Sequence, residues 1–103
     1  MSTPRAVVVI FNDTLTASEV EEGPVIQPAM YGDEIGVFQT EEVSGSISAQ
    51  LQGRLDATMS WIDIGSPHTA NSMTTNVPIV PLMRVQVTEQ VASTAEAKCL
   101  LML

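Results

Sequence analysis

The chain's clearest pattern is SISAQLQGRL, in which Ile47, Ala49, Leu51, Gly53 and Leu55 alternate with Ser46, Ser48, Gln50, Gln52 and Arg54. A period of two places the first set on one face of an extended strand and the second on the other, as in a half-buried antiparallel sheet. Turn chemistry follows in Asp56-Ala57-Thr58, and TMSWIDI then reads as the return strand of a hairpin. In that strand Trp61 shares a face with Met59 and Asp63, opposite Ser60, Ile62 and Ile64, so periodicity alone does not say which face is buried.

Other segments extend the β pattern. RAVVVIF is apolar at nearly every position, which predicts a strand covered on both faces or one lying in an intersubunit contact. Residues 12–28 carry NDT, a Glu cluster and two prolines, the chemistry of a loop with at most one helical turn. Ile35 to Thr40 is a short strand candidate, and SPHTANSMTTN, residues 66–76, is a polar loop. Pro78 and Pro81 cannot donate to a ladder, so residues 77–83 form an irregular entry or an edge before Val85 and Val87 alternate with Arg84 and Gln86. The last segment, TAEAKCLLML, is helical by propensity. As a strand it would align Ala95, Ala97, Cys99, Leu101 and Leu103.

Several short strands with turn signals between them predict an all-β fold, a single antiparallel β-sandwich of jelly-roll-like or immunoglobulin-like type. Its one domain spans residues 1–103, with residues 1–34 as an N-terminal strand and irregular acidic loop or arm and residues 35–103 as the sandwich core. The expected core residues include Leu51, Trp61, Ile64, Val85 and Val87. A lone tryptophan among Met59, Ile62 and Ile64 reads as a plug between sheets rather than a sugar platform.

Charge narrows the partners. Four Lys plus Arg against twelve Asp plus Glu give a net charge of −8, which repels phosphate backbones and anionic lipid, so neither nucleic acid nor membrane is an expected partner. Eight of the acidic residues lie between Asp13 and Glu42 with no basic residue among them. The pairs Glu21-Glu22, Asp33-Glu34 and Glu41-Glu42 read as solvated surface rather than a cation site, because adjacent strand residues point to opposite faces. Cys99 is the single cysteine, which leaves no internal disulfide, and it reads as a small buried hydrophobe. The single histidine, His68, sits in SPHTANS near Ser66, Thr69 and Asp63. With no nucleophile elbow and no ligand spacing, it reads as an ordinary exposed loop residue. Neither GxGxxG nor GxxxxGK[ST] occurs. No catalytic residue, cofactor site or metal site is expected.

The stretch VFQTEEVSGSISAQLQGRLDATMSWIDIGS, then VPLMRVQVT and a closing strand, resembles small β-sandwich virion proteins of tailed bacteriophages. The resemblance runs from about Val37 to the C-terminus and rests on Gly45, Leu51, Gly53, Asp56, Trp61, Asp63, Ile64, Gly65 and the Arg84-Val85 pair. It departs from their pattern at Asp56-Ala57, where Asp-Gly is common. Alanine does not easily take positive φ, so a different turn is implied. The first third of the chain has no counterpart. The resemblance implies a non-enzymatic virion protein assembled in a bacterial cytoplasm, most simply a capsid decoration or cement protein bound to the major capsid protein or another virion protein. The alternative is a tail or fibre adhesion module whose loops bind a cell-surface glycan. Exposed apolar strands invite edge pairing, so Val7, Val8, Val9, Ile10, Phe11, Leu101 and Leu103 are expected at a subunit or capsid contact, in a homo-oligomer for which family behaviour favours a trimer.

Overall fold

Alternation that is half legible in the sequence becomes two complete sheets in the computed structural model, which describes residues 7–28 and 35–103. Its strands are β1 (Val7–Leu15), β2 (Val20–Glu22), β3 (Ile35–Ser44), β4 (Ile47–Arg54), β5 (Ile62–Asp63), β6 (Ser72–Pro78), β7 (Leu82–Glu89) and β8 (Ala95–Met102). One sheet has the order β1-β8-β3-β6 and the other β2-β7-β4-β5. All pairings are antiparallel. The first strand pairs with the last, the second with the seventh, the third with the sixth and the fourth with the fifth. This is a long folded ribbon rolled into a sandwich, closed by the β3–β8 and β4–β7 ladders. Of the two sandwich types expected, the strand order is therefore that of a jelly roll.

The core lies between the sheets. From β4 come Ile47, Ala49 and Leu51, from β7 Met83, Val85 and Val87, and from β8 Ala95, Ala97, Cys99 and Leu101, all buried. The helical alternative for the C-terminal segment loses because its inward residues Ala97, Cys99 and Leu101 are each opposed by β1 on one side and β3 on the other, and Ala95 by β1. Burial in a central strand outweighs helix propensity of a few tenths of a kcal/mol per residue. That position also means that Leu101 does not lie on an edge strand open to pairing, since β8 is flanked on both sides.

The N-terminal segment is built into the fold rather than hung from it. β1 is an edge of the first sheet and β2 an edge of the second, so residues expected as an acidic loop supply a strand. A bulge between Val9 and Phe11 lets consecutive side chains, Ile10 and Phe11, both reach the core. There the two sheets come so close that a Cβ at Gly23 would overlap the Ile10 carbonyl oxygen. The contact role expected for Ile10, Phe11 and Leu101 is thus corrected: they pack inside their own chain. Val8 and Leu103 are partly buried against the same core, which leaves Val7 and Val9 as the outward-facing residues of that group. Arg5 and Ala6 of RAVVVIF, and Asp33-Glu34 of the acidic segment, lie outside the described residues.

The rolled ribbon has two ends. One gathers the β1–β2, β3–β4, β5–β6 and β7–β8 connections, tied together by Gln90 N–H donating to the Ser46 carbonyl and Glu89 N–H donating to that of Glu19. The other gathers the β4–β5 and β6–β7 connections, the start of β1 and the end of β8.

Candidate binding surface

Gln52 and Arg84 are direct partners in the β4–β7 ladder, and their side chains stand on the outer face of the second sheet. Arg84 Nε donates to Gln52 Oε1 at 2.9 Å, and Gln52 Nε2 donates to Asp63 Oδ1 at 3.0 Å. Two residues further along β4, Arg54 Nη1 donates to the carbonyls of Ala57 and Met59, both at 3.2 Å. The guanidinium carbons of Arg54 and Arg84 lie 4.2 and 4.4 Å from the Trp61 ring centroid. Trp61 is thus only partly buried and belongs to this polar outer face. The expectation of a core plug is corrected. Of the other expected core residues, Leu51, Val85 and Val87 are fully buried and Ile64 is partly buried against the core.

The return strand is shorter than expected because the Asp56 side chain captures the backbone first. Its carboxylate accepts from Thr58 N–H at 2.8 Å and Thr58 Oγ1 at 2.6 Å, while its carbonyl accepts from Met59 N–H at 3.0 Å. This Asx-capped turn dispenses with the positive φ that Asp-Gly supplies, and Ala57 is not among the residues with positive φ. Pairing resumes only at Ile62, and Leu55, expected on the inner face of β4, stands exposed beyond the strand's end.

A pocket of about 320 Å³ opens beside this turn, lined by Leu55, Met59, Ile62, Ile64 and Val80 together with Gly53 and Arg54. Glycine at position 53 leaves room for these walls, since a Cβ would come within 2.6 Å of Val80 Cγ2 and 2.7 Å of Ile64 Cδ1 and displace them. The surroundings are apolar as well. Leu55, Met59 and Ile62 are 69, 57 and 64% exposed, and the same end of the sandwich presents Val7, Val25 and Ile35, all exposed.

His68 is elsewhere, and the expectation of an exposed loop residue is corrected. Its backbone exchanges hydrogen bonds with Ala49 as the chain crosses from the second sheet to the first, and its side chain turns inward to 5% exposure. Nδ1 lies 2.8 Å from Thr40 Oγ1 and Nε2 2.7 Å from Thr74 Oγ1, while Thr40 Oγ1 lies 3.6 Å from Cys99 Sγ. Either tautomer satisfies both ring nitrogens, because each hydroxyl both gives and accepts. The neighbours named in the sequence do not join it: Asp63 is held by Gln52. Burial pushes the Cys99 thiol up to about 11, so the thiolate that nucleophilic chemistry needs is scarce. Threonine at 40 and 74 carried no sequence signal, because His68 meets both only through folding.

Among the described residues, no group of three or more His, Cys, Asp and Glu side chains is placed to hold a metal ion. No helix of the described residues is long and apolar enough to cross a membrane. No protein-family model matches the chain, and no curated protein matches its sequence. What the fold and surface define is a jelly-roll module with an open, aliphatic-walled pocket at one end.

Proposed function

We propose that this jelly roll is a non-enzymatic structural protein of a bacteriophage virion, a decoration or cement protein that seats its apolar end on the capsid. The observation that carries this reading is the exposure of Leu55, Met59 and Ile62 around one apolar pocket, at the end of the sandwich where Val7, Val25 and Ile35 are exposed as well. Contiguous exposed aliphatic surface on a folded module marks a contact with another macromolecule. The resemblance of residues from about Val37 onward to small phage virion proteins names the assembly. The fold adds support by analogy, since jelly rolls serve both viral capsids and lectins. Weak contacts repeated over a symmetric lattice supply stabilisation through avidity. Val7 and Val9 on edge strand β1 supply a self-association surface, and a homotrimer is the assembly favoured.

Trp61 favours a second reading, a tail or fibre module that binds glycans, because a partly exposed indole on a face with Arg54, Arg84, Gln52 and Asp63 is a set of groups that sugars use. Two guanidiniums already lie over the ring, so stacking a sugar requires moving at least one of them. The first reading is therefore preferred.

Light scattering across a dilution series tests it. A mass about three times that of the chain, stable on dilution, supports the lattice-binding reading. A monomer persisting at high concentration overturns it and brings the adhesion module forward, for which binding to a glycan array is the next measurement.

A further inference from the structure

The outer faces of the two sheets differ in chemistry. On the second sheet the outward ladder rows are polar, Ser48 with Thr88, Gln50 with Gln86 and Gln52 with Arg84. On the first, Met102 pairs with Val37 and Leu100 with Gln39, and the Leu100 row continues to Val9 on β1 and to Met73 on β6. The alternate residues Phe38, Cys99 and Leu101 fill the core, so Val37, Leu100 and Met102 face away from it. Val9 is 47% and Met73 60% exposed. An apolar band thus crosses all four strands where the other sheet shows amides and hydroxyls. One row further along, Lys98 pairs with Glu41 in the ladder, and neither side chain forms a hydrogen bond or ion pair with another described residue.

The symmetry of the band selects its occupant. With the sheet order β1-β8-β3-β6, a two-fold axis running along the strands between β8 and β3 lays β8 of one copy over β3 of another, and β1 over β6. Rows then meet at the same height. Met102 falls over Val37 of the second copy, Leu100 over its Gln39, Val9 over its Met73 and Lys98 over its Glu41. The end-over-end arrangement has no such match, because it sets Met102 against Glu96 and Leu100 against Lys98. Two copies at a net charge of −8 repel one another, but the band carries no charge and the row beside it joins opposite signs. Size permits the contact as well. Four strands about 4.8 Å apart and about eight residues long present roughly 500 Å², so two such faces reach the roughly 1,000 Å² of a specific interface.

We propose that the outer face of the β1-β8-β3-β6 sheet is a two-fold contact with a second copy of this chain, apolar band against apolar band, with Lys98 of each copy meeting Glu41 of the other. The contact does not rest on the capsid reading. It covers the face of the sheet and leaves the backbone edge of β1 open, so a trimer built through that edge is joined face to face with a second one.

Sedimentation of the full chain across a dilution series, with Lys98→Glu and Glu41→Lys alongside, tests the pairing. The unmodified protein is expected at an even multiple of the chain mass that halves on dilution. Each reversal sets like charges across the contact and should weaken it at least about tenfold. An equimolar mixture of the two variants should associate again, because the mixed pair has opposite charges at both crossings. Within each variant positions 41 and 98 stay alike in sign, so recovery on mixing comes from the contact between copies alone. Met73→Glu, at an exposed edge position, should weaken association while the thermal melt stays unchanged, and it carries the comparison if either reversal fails to fold. An odd multiple of the chain mass at the highest soluble concentration overturns the pairing, and if that multiple is three the capsid reading still stands. A mixture no more associated than its components overturns it too, as does a Met73→Glu variant that associates as tightly as the unmodified protein.

Discussion

The His68 imidazole stacks on the Phe38 ring with 4.4 Å between centroids and 17° between planes. The crossing from one sheet to the other is thereby fastened to β3 by a ring contact and to Thr40 and Thr74 by hydrogen bonds, while the backbone at the same residue is held by β4. One residue ties both sheets together, by its side chain to the first and by its backbone to the second, and loss of the side chain leaves a cavity and takes a hydrogen-bond partner from the buried Thr40 and the part-buried Thr74. His68→Ala should cost about 3 kcal/mol in denaturant unfolding. An exposed loop histidine would cost less than about 0.5 kcal/mol.

The same burial sets a pH dependence. Desolvation lowers the His68 pKa below its ordinary value of 6.5, so between the two values the unfolded chain binds a proton that the folded chain refuses. The contribution is fully present above 6.5 and is lost as pH falls through 6.5 toward the folded value. Stability measured from pH 8 to pH 5 should fall less steeply in His68→Gln than in the unmodified protein.

Glu89 fastens the turns at the end of the sandwich that gathers the β1–β2 and β7–β8 connections. Its carboxylate accepts from Ser18 N–H at 2.8 Å and Val91 N–H at 2.9 Å, joining two turns whose residues Ser18 and Ala92 have positive φ. The Ser18 bond is the main cause holding this carboxyl below its ordinary 4.5. Its contribution is present above 4.5 and is lost as pH falls through the folded value beneath it. Glu89→Gln, which removes the charge, should lower Tm at pH 7 and flatten the acid side of the stability curve.

Glu21 has the opposite sign. It pairs with Val87 and Asp13 pairs with Ala97, so both carboxyls stand on the inward side of edge strands and guard those edges against further pairing. Desolvation first, then the Asp13 side chain, raises the Glu21 pKa above 4.5. Its contribution is present below 4.5 and is lost as pH rises through the folded value. Glu21→Gln should therefore raise Tm at pH 7 and leave it nearly unchanged at pH 3.

How much of this was legible depends on sequence distance. The inner face of β4 was readable because Ile47, Ala49 and Leu51 are two residues apart and need no partner to be recognised. β8 was ambiguous because its inward residues are small and its composition suits a helix; only the flanking of β1 and β3 decides it. Trp61 was misplaced for a related reason. Its local neighbours are aliphatic, whereas Arg84 lies 23 positions away and reaches the ring only through the β4–β7 register. The roll of eight strands was legible as a sandwich of jelly-roll-like or immunoglobulin-like type but not as one rather than the other, since β2 and β5 are three- and two-residue strands with no periodicity to read.

The Arg84 contact can be measured directly. A cation over an indole is worth about 0.5–1 kcal/mol at a partly exposed site, and Arg84→Ala also frees Gln52 Oε1. The variant should lose about 1 kcal/mol, and Trp61 emission should shift to the red as water reaches the ring. A tryptophan plugged between the sheets would show no shift.

Gly53 connects the fold to its pocket. It sits on the inward face of β4, where Val80 and Ile64 close over it. A methyl group there must displace two aliphatic side chains that also line the pocket wall, and overpacking of this kind costs roughly 1–3 kcal/mol. Gly53→Ala should lower stability by that amount in a denaturant melt and shrink the pocket at the same time. Restoring room with the second change Val80→Ala should recover part of the loss, so that the double variant is more stable than the sum of the single changes. Strict additivity would show that the cost at position 53 comes from backbone restriction and not from the close approach of Val80.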